Sequence, residues 1–260
     1  MNVNIKNAAR LGNFIIQIKN ALHIALFHNY NVILPKHKFF NTTYLVINEN
    51  ITIENKTIED KYSFFYKEKI KDHQLIFGKN ADKVNKILRE IFIFSGIESL
   101  KNDLVIHIRS GDLFQKNPHP KYLTPPLSYY KDIIERNNYE NIYLISEDTL
   151  NPCINKLLAL YPNIKFKLQS LEEDIKLILG ASNIVISYGT FIPQLLDFSD
   201  NIKCIYVPSY LNNYKKEYFK INRDCIVKTS KLDEYYKLMI PWKNTQAQHK
   251  TMLSYQTIVK

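Results

Sequence analysis

Along the second half of the chain, compact apolar runs alternate with stretches in which apolar residues recur every three or four positions. The runs at 104–108, 141–145, 183–186 and 202–208 are rich in Ile, Leu and Val and do not alternate with polar residues. Such runs predict strands covered on both faces, as in a parallel sheet. The segment Ile164-Lys165-Phe166-Lys167-Leu168 does alternate, and predicts a strand nearer an edge. Helical spacing fills the gaps at 127–137, 151–160, 170–180 and 190–196, with one more helix at 232–239 in a tail read as irregular to helical. Ser128 is placed to cap the first of these, and Ser170 with Glu173 reads as a capping box on the third. Strands and helices in strict alternation predict a doubly wound α/β sheet.

The first hundred residues open on a helix, because positions 14, 15, 18, 22, 25 and 26 are apolar. Gly12-Asn13 stands at its expected start, where Asn is a favoured cap and backbone N–H groups can take an anion. Asn31 to Leu34 reads as a strand stopped by Pro35. Residues 36–80 are less regular, with weak strands expected at 44–47 and 51–53 and apolar clusters at 64–66 and 75–77. A helix is expected from 81 to 94, stopped by Ser95-Gly96. A boundary near residue 99 then divides the chain into α/β domains at 1–98 and 99–260.

Composition changes this picture little. The 260 residues are 45% hydrophobic and 23% charged, ordinary for a globular protein. The formal charge of +10 suits an anionic partner, but no run of five like charges marks a nucleic-acid or polybasic segment. Cys153, Cys204 and Cys225 lie far apart and offer no zinc spacing, so no metal site is expected. No signal peptide or membrane span is legible, which predicts a cytoplasmic protein or a soluble piece of a longer one, with room for a peripheral membrane contact.

The chemistry gathers where the predicted strands end, since ligands of open α/β sheets sit beyond the carboxyl ends of the strands. The strand at 104–108 runs into Arg109-Ser110-Gly111-Asp112. Arg109 carries a planar fork of donors suited to phosphate, and His107 can bond a base or a hydroxyl. The strand at 141–145 runs into Ser146-Glu147-Asp148, and that at 183–186 into Ser187-Tyr188-Gly189-Thr190-Phe191. A small, hydroxyl-bearing turn opening a helix is a second seat for an anion. The loop 113–126, rich in Pro, reads either as a wall or lid of the same crevice, with His119 and Tyr122 placed to touch a sugar, or as a stiff proline loop with surface aromatics.

Three of these stretches, in order, resemble the GDP-fucose-dependent fucosyltransferases, most nearly the α1,2 group. Leu11-Gly12-Asn13 with Gln17 is similar to their N-terminal Gly-Asn-Gln stretch. His107-Ile108-Arg109-Ser110-Gly111-Asp112 is similar to their His-x-Arg-x-Gly-Asp motif. Glu173-Asp174 followed by the turn at 187–191 is similar to their third motif, with Tyr188-Gly189-Thr190 in place of the usual Ser-Ser. The resemblance covers about residues 10–35 and 100–208. It implies a GT-B architecture, two Rossmann-type domains with a ligand cleft between them and an acceptor-side N-terminal domain. It also implies an inverting, metal-independent transfer of fucose from GDP-fucose, or of another sugar from its nucleotide, to a glycan hydroxyl. No cofactor is implied beyond the donor substrate. By the same resemblance Arg109 holds the β-phosphate, His107 contacts the nucleoside, and Ser187, Gly189, Thr190 and Phe191 cradle the pyrophosphate. Glu147 or Asp174 takes ribose or guanine, Gly12 belongs to the donor-binding set, and Asn13 faces the reacting sugar. Asp112 is read either as the base that deprotonates the acceptor or as a brace for Arg109. A basic α/β module that binds polyanions without catalysis is the rival from another class.

Overall fold

The computed structural model describes residues 1–6, 9–77, 79–211 and 225–257. The chain divides into two compact α/β units, Met1–Ser95 and Gly96–Lys260.

In the first unit a four-stranded sheet has the order β3-β2-β1-β4, with β1 at Asn2–Asn4, β2 at Asn31–Ile33, β3 at Tyr44–Leu45 and β4 at Thr57–Ile58. β1 runs parallel to β2 and β4, and β3 is antiparallel to β2. Helix α1 spans Leu11–His28 and buries Phe14, Ile15, Ile18, Leu22 and Ala25. It starts earlier than its apolar spacing suggests: Arg10 is the N-cap, so Asn13 lies inside the first turn and is not the cap. At the other end Asn29 adopts the left-handed conformation (φ 57°) and its N–H bonds the Ala25 carbonyl.

Residues 51–53, expected to be a strand, are irregular and lead into a turn closed by the Asn55 N–H on the Thr52 carbonyl. The reason lies in two fully buried asparagines. Asn31 Nδ2 donates to the carbonyls of Asn48 and Ile51, and Asn2 Nδ2 donates to those of Thr52 and Asn55. These bonds hold the backbone acceptors a strand partner would need, and the pairing shifts to Thr57–Ile58. Helix α2 is a single turn, His73–Ile76, and α3 runs from Ala81 to Ile91. α3 stops before the expected Ser95-Gly96, because Phe92 bridges Phe40 and the Ile93 N–H bonds the Phe39 carbonyl.

The second unit holds a six-stranded, wholly parallel sheet: β5 Leu100–His107, β6 Ile142–Ile145, β7 Ile164–Phe166, β8 Ala181–Val185, β9 Cys204–Pro208 and β10 Ile226–Ser230. Its order is β10-β9-β8-β5-β6-β7. Counted from its own first strand, that is the dinucleotide-fold order 3-2-1-4-5-6 read from the other side. Helices α4 (Leu127–Glu135), α5 (Pro152–Leu160), α6 (Leu171–Gly180) and α7 (Phe191–Leu196) join the strands. Leu104, Ile106 and Leu144 of the sheet share one core with Ile133 of α4 and Ile154 and Leu157 of α5. The capping box on α6 is present in both directions. Ser128 does not cap α4; Pro126 holds the N-cap position, and the Ser128 hydroxyl is buried. The tail differs from the reading as irregular to helical: β10 extends the sheet, and after the helix Asp233–Met239 a second helix spans Gln246–Ser254. Among the described residues no helix is long and apolar enough to cross a membrane.

Candidate functional site

The chain leaves β5 toward β6 on one side, while β8 pairs with β5 on the other. The point between β5 and β8 is therefore the topological switch of the sheet, where ligands of such folds bind. The last residue of β5 with the turn after it, His107–Asp112, and the turn after β8, Ser187–Phe191, are the two expected anion seats. They meet at Ser187. Its buried Oγ accepts the backbone N–H of Arg109 at 2.9 Å and lies 3.2 Å from His107 Nδ1.

Arg109 is fixed on several sides. Its Nε and Nη2 donate to Asp112 at 2.9 to 3.3 Å, and only 18% of its side chain is exposed. The guanidinium carbon lies 5.5 Å from the Tyr122 ring centre and 5.8 Å from that of Tyr188. Those rings stack on each other at 4.5 Å, and His119 stacks on Tyr122 at 3.8 Å. Gly189 stands beside the guanidinium, with φ +125°; a Cβ there would meet Nη1 at 3.0 Å. Asp112 thus grips the Nε/Nη2 edge of the fork, and Nη1 lies against the Ser187–Thr190 turn.

A second set of bonds holds this backbone. The Asp148 carboxylate accepts from the Ser110 hydroxyl and, at 3.1 Å, from the Gly111 N–H. Asn151, fully buried, caps α5 through the Cys153 N–H and donates to the Arg109 carbonyl at 3.1 Å and to Thr124 Oγ1 at 3.2 Å. Its own N–H reaches Ser110 Oγ at 2.9 Å. Glu147 leans over Gly111, where a Cβ would come within 2.2 Å of its Oε1. The loop 113–124 is a wall rather than a lid. Its carbonyls at Leu113, Lys121, Leu123 and Thr124 accept from Trp242 Nε1 and from the hydroxyls of Tyr236, Tyr210 and Tyr235.

Of the residues singled out from sequence, His107, Arg109, Asp112, Ser187 and Gly189 come together directly. Phe191 joins them through a 6.0 Å ring contact with His107, and Thr190 is the N-cap residue of α7. That helix has six residues, and Pro193 removes one of its first-turn N–H groups, so its dipole adds less than a full helix would. Asp174 sits in the first turn of α6, at the carboxyl end of the same sheet, bonded to Gln169 at 2.8 Å and not to the Arg109 cluster. Gly12 and Asn13 belong to α1 of the other unit. Sequence reasoning missed Tyr188 as an aromatic support of Arg109, and it missed the Ser110-Asp148-Asn151 clamp. The signals were present: Asp148 and Asn151 follow a strand just as Arg109 does. Among the described residues no group of three His, Cys, Asp or Glu side chains is placed to hold a metal ion.

Electrostatics separate the roles. Burial, and then the Arg109 charge, lower the His107 pKa to about 3, so its ring is neutral near pH 7. Its folded pKa lies below the ordinary 6.5, so the unfolded chain binds a proton there first. The stability tied to His107 is complete above pH 6.5 and is lost as pH falls toward 3, with a slope of up to about 1.4 kcal/mol per pH unit. Asp174 acts in the opposite sense: burial raises its pKa to about 6, so stability falls as pH rises from 3.8 to about 6. Denaturant titrations at pH 7 and pH 5 should therefore show a smaller acid-induced loss in His107→Asn than in the parent. An equal loss in both would remove His107 as the source.

No protein-family model matches the chain, and no curated protein matches it either.

Proposed function

We propose that the chain is a glycosyltransferase of the fucosyl type, passing fucose from GDP-fucose, with inversion and without a metal ion, to a hydroxyl of a glycan acceptor. One observation carries this reading: the Arg109 fork and the Ser187–Thr190 turn, eighty residues apart in sequence, meet at the switch point of a parallel sheet. A cation and a tight turn at that place suit a diphosphate. The order of the motifs supports GDP-fucose as donor.

Breaking the sugar–phosphate bond leaves negative charge on the departing diphosphate. Arg109, held at one edge by Asp112, offers its other edge to that charge, already oriented, which is the condition for strong electrostatic help. The neutral His107 ring and the turn hydroxyls orient the nucleotide. Glu147 or Asp174 is read as its ribose or guanine contact. Asp112 is read as the brace of Arg109, since both of its carboxylate oxygens are on the guanidinium. Three cysteines without a disulfide fit a reducing cytoplasm.

The test is calorimetric titration with GDP, UDP, dTDP, ADP and a polyphosphate, followed by donor turnover. GDP should bind in preference, and GDP-fucose should be consumed when a glycan acceptor is added. Binding of all anions alike, falling steeply with salt, would instead favour the non-catalytic polyanion module.

A further inference from the structure

A second hollow lies far along the strands from Arg109. Asn102 of β5, Cys204 of β9 and Ile226 of β10 line it from the amino-terminal halves of their strands and Asn183 from the middle of β8, together with the loop at Asn137–Tyr139. Arg109 and Ser187, by contrast, follow the carboxyl ends of β5 and β8. The groove holds about 360 Å³, within the roughly 300–1,000 Å³ of small-molecule sites.

Its lining has an unusual balance. Four asparagines, two tyrosines and two lysines face one hollow, and none of the lining residues is a carboxylate. The lysines are Lys203 and Lys228. Lys228 Nζ donates to Tyr206 Oη at 3.4 Å, and the Tyr206 and Tyr139 hydroxyls bond each other at 2.7 Å. With the Tyr206 oxygen accepting from the ammonium, the Tyr206 O–H can donate to Tyr139 Oη, which leaves the Tyr139 O–H to donate outward. Burial raises the Tyr139 pKa, so that proton stays in place. Two acids lie nearby and are engaged. Glu140 Oε1 accepts from Asn102 Nδ2 at 3.5 Å, and Asp103 Oδ1 accepts from the Asn141 N–H and Nδ2. Ile226, 61% exposed at the rim, offers an apolar patch.

We propose that this groove is a second ligand site, separate from the Arg109 crevice, for an acidic monosaccharide, one sugar ring bearing a phosphate or a carboxylate. The ammonium groups of Lys203 and Lys228 take the anion. Asn183 Nδ2 already donates to the Asp103 carbonyl and Ser182 Oγ, and Asn137 Nδ2 to the Ile133 carbonyl, so the asparagine carbonyl oxygens and the Asn138 amide meet the sugar hydroxyls, and the Ile226 side chain covers an apolar sugar face.

Calorimetry with glucose 6-phosphate, glucuronate, glucose and inorganic phosphate tests it. One of the two acidic sugars should bind with one-to-one stoichiometry and more tightly than glucose or phosphate alone; which of the two does so identifies the anion. The double variant Lys203→Gln/Lys228→Gln should weaken that binding roughly ten-fold or more, the size of losing a charge-assisted hydrogen bond. Both lysines are exposed, so the variant should melt near the parent temperature. Arg109→Ala should leave this affinity unchanged, whether or not the crevice binds a nucleotide sugar. Absence of binding by both acids, an unchanged affinity in the double variant, or loss of binding in Arg109→Ala would overturn the proposal. Phosphate binding as tightly as glucose 6-phosphate would overturn its sugar part.

Discussion

Arg109→Ala should lower kcat/KM for GDP-fucose by about 10²–10³-fold, the usual effect of removing one oriented donor from a developing charge. The melting temperature should move little. Asp112, the partner left behind, has a side chain 43% exposed and stays in contact with water, so the lost ion pair is worth little to folding. Tyr122 and Tyr188 keep their mutual stack without the guanidinium. Arg109→Lys should recover only a small part of the loss. A single ammonium cannot bond Asp112 through one edge and present a second edge to a diphosphate, as the planar fork does. Steady-state turnover with the melting curve of each variant checks this. Full activity in Arg109→Ala would end the transferase reading of the crevice.

The parts of the site that were legible in the sequence are those with a local signature. Apolar runs at 104–108, 141–145 and 183–186 announce strands buried on both faces, and the residues that follow each run mark the crevice because a parallel sheet delivers all its carboxyl ends to one side. Ser170 and Glu173 sit three apart, which is sufficient for the capping box that forms. What escaped depends on bonds with no local pattern. Asn2 and Asn31 hold a loop more than fifteen residues away by side chain to backbone bonds, and that diverts residues 51–53 from the sheet. Asn151 looks like an ordinary helix cap in sequence, and is one, but its Nδ2 also fixes the Arg109 carbonyl forty-two residues back. β10 escaped for the opposite reason. As an edge strand it leaves Ile226, Val227 and Lys228 all exposed, so it carries neither the solid apolar run of a central strand nor a clean alternation.

These bonds also decide between two roles for the loop 113–124. Proline-rich loops beyond a strand end often serve as closing lids. Here the Trp242 ring N–H and three tyrosine hydroxyls take its carbonyls, and Leu123 and Leu113 are buried. Opening it would strand several acceptors away from their donors, so the loop supports Tyr122 in a fixed position against Arg109. The crevice around Arg109 is therefore preorganised from three directions: the Asp112 carboxylate, the stacked tyrosines and the Ser187 hydroxyl under its backbone.

Gly189→Ala should show how much that preorganisation depends on a missing methyl group. At φ +125° the added side chain strains the backbone, which costs roughly 1–3 kcal/mol of stability. Its Cβ would also stand 3.0 Å from Arg109 Nη1, forcing the guanidinium aside by a few tenths of an ångström at the edge not held by Asp112. GDP affinity should therefore fall roughly ten-fold or more, about the size of one charge-assisted hydrogen bond. A general weakening of the fold could imitate that result, so the informative experiment is a double-mutant cycle with Arg109→Ala. If Gly189 acts by leaving room for the guanidinium, then once the guanidinium is gone the extra methyl has little left to obstruct. GDP affinity in the double variant should fall scarcely below that of Arg109→Ala alone, while the stability loss from Gly189→Ala persists in full. Two affinity losses that simply add would mean that the turn and the arginine serve separate ends, and the shared diphosphate site would be lost with them.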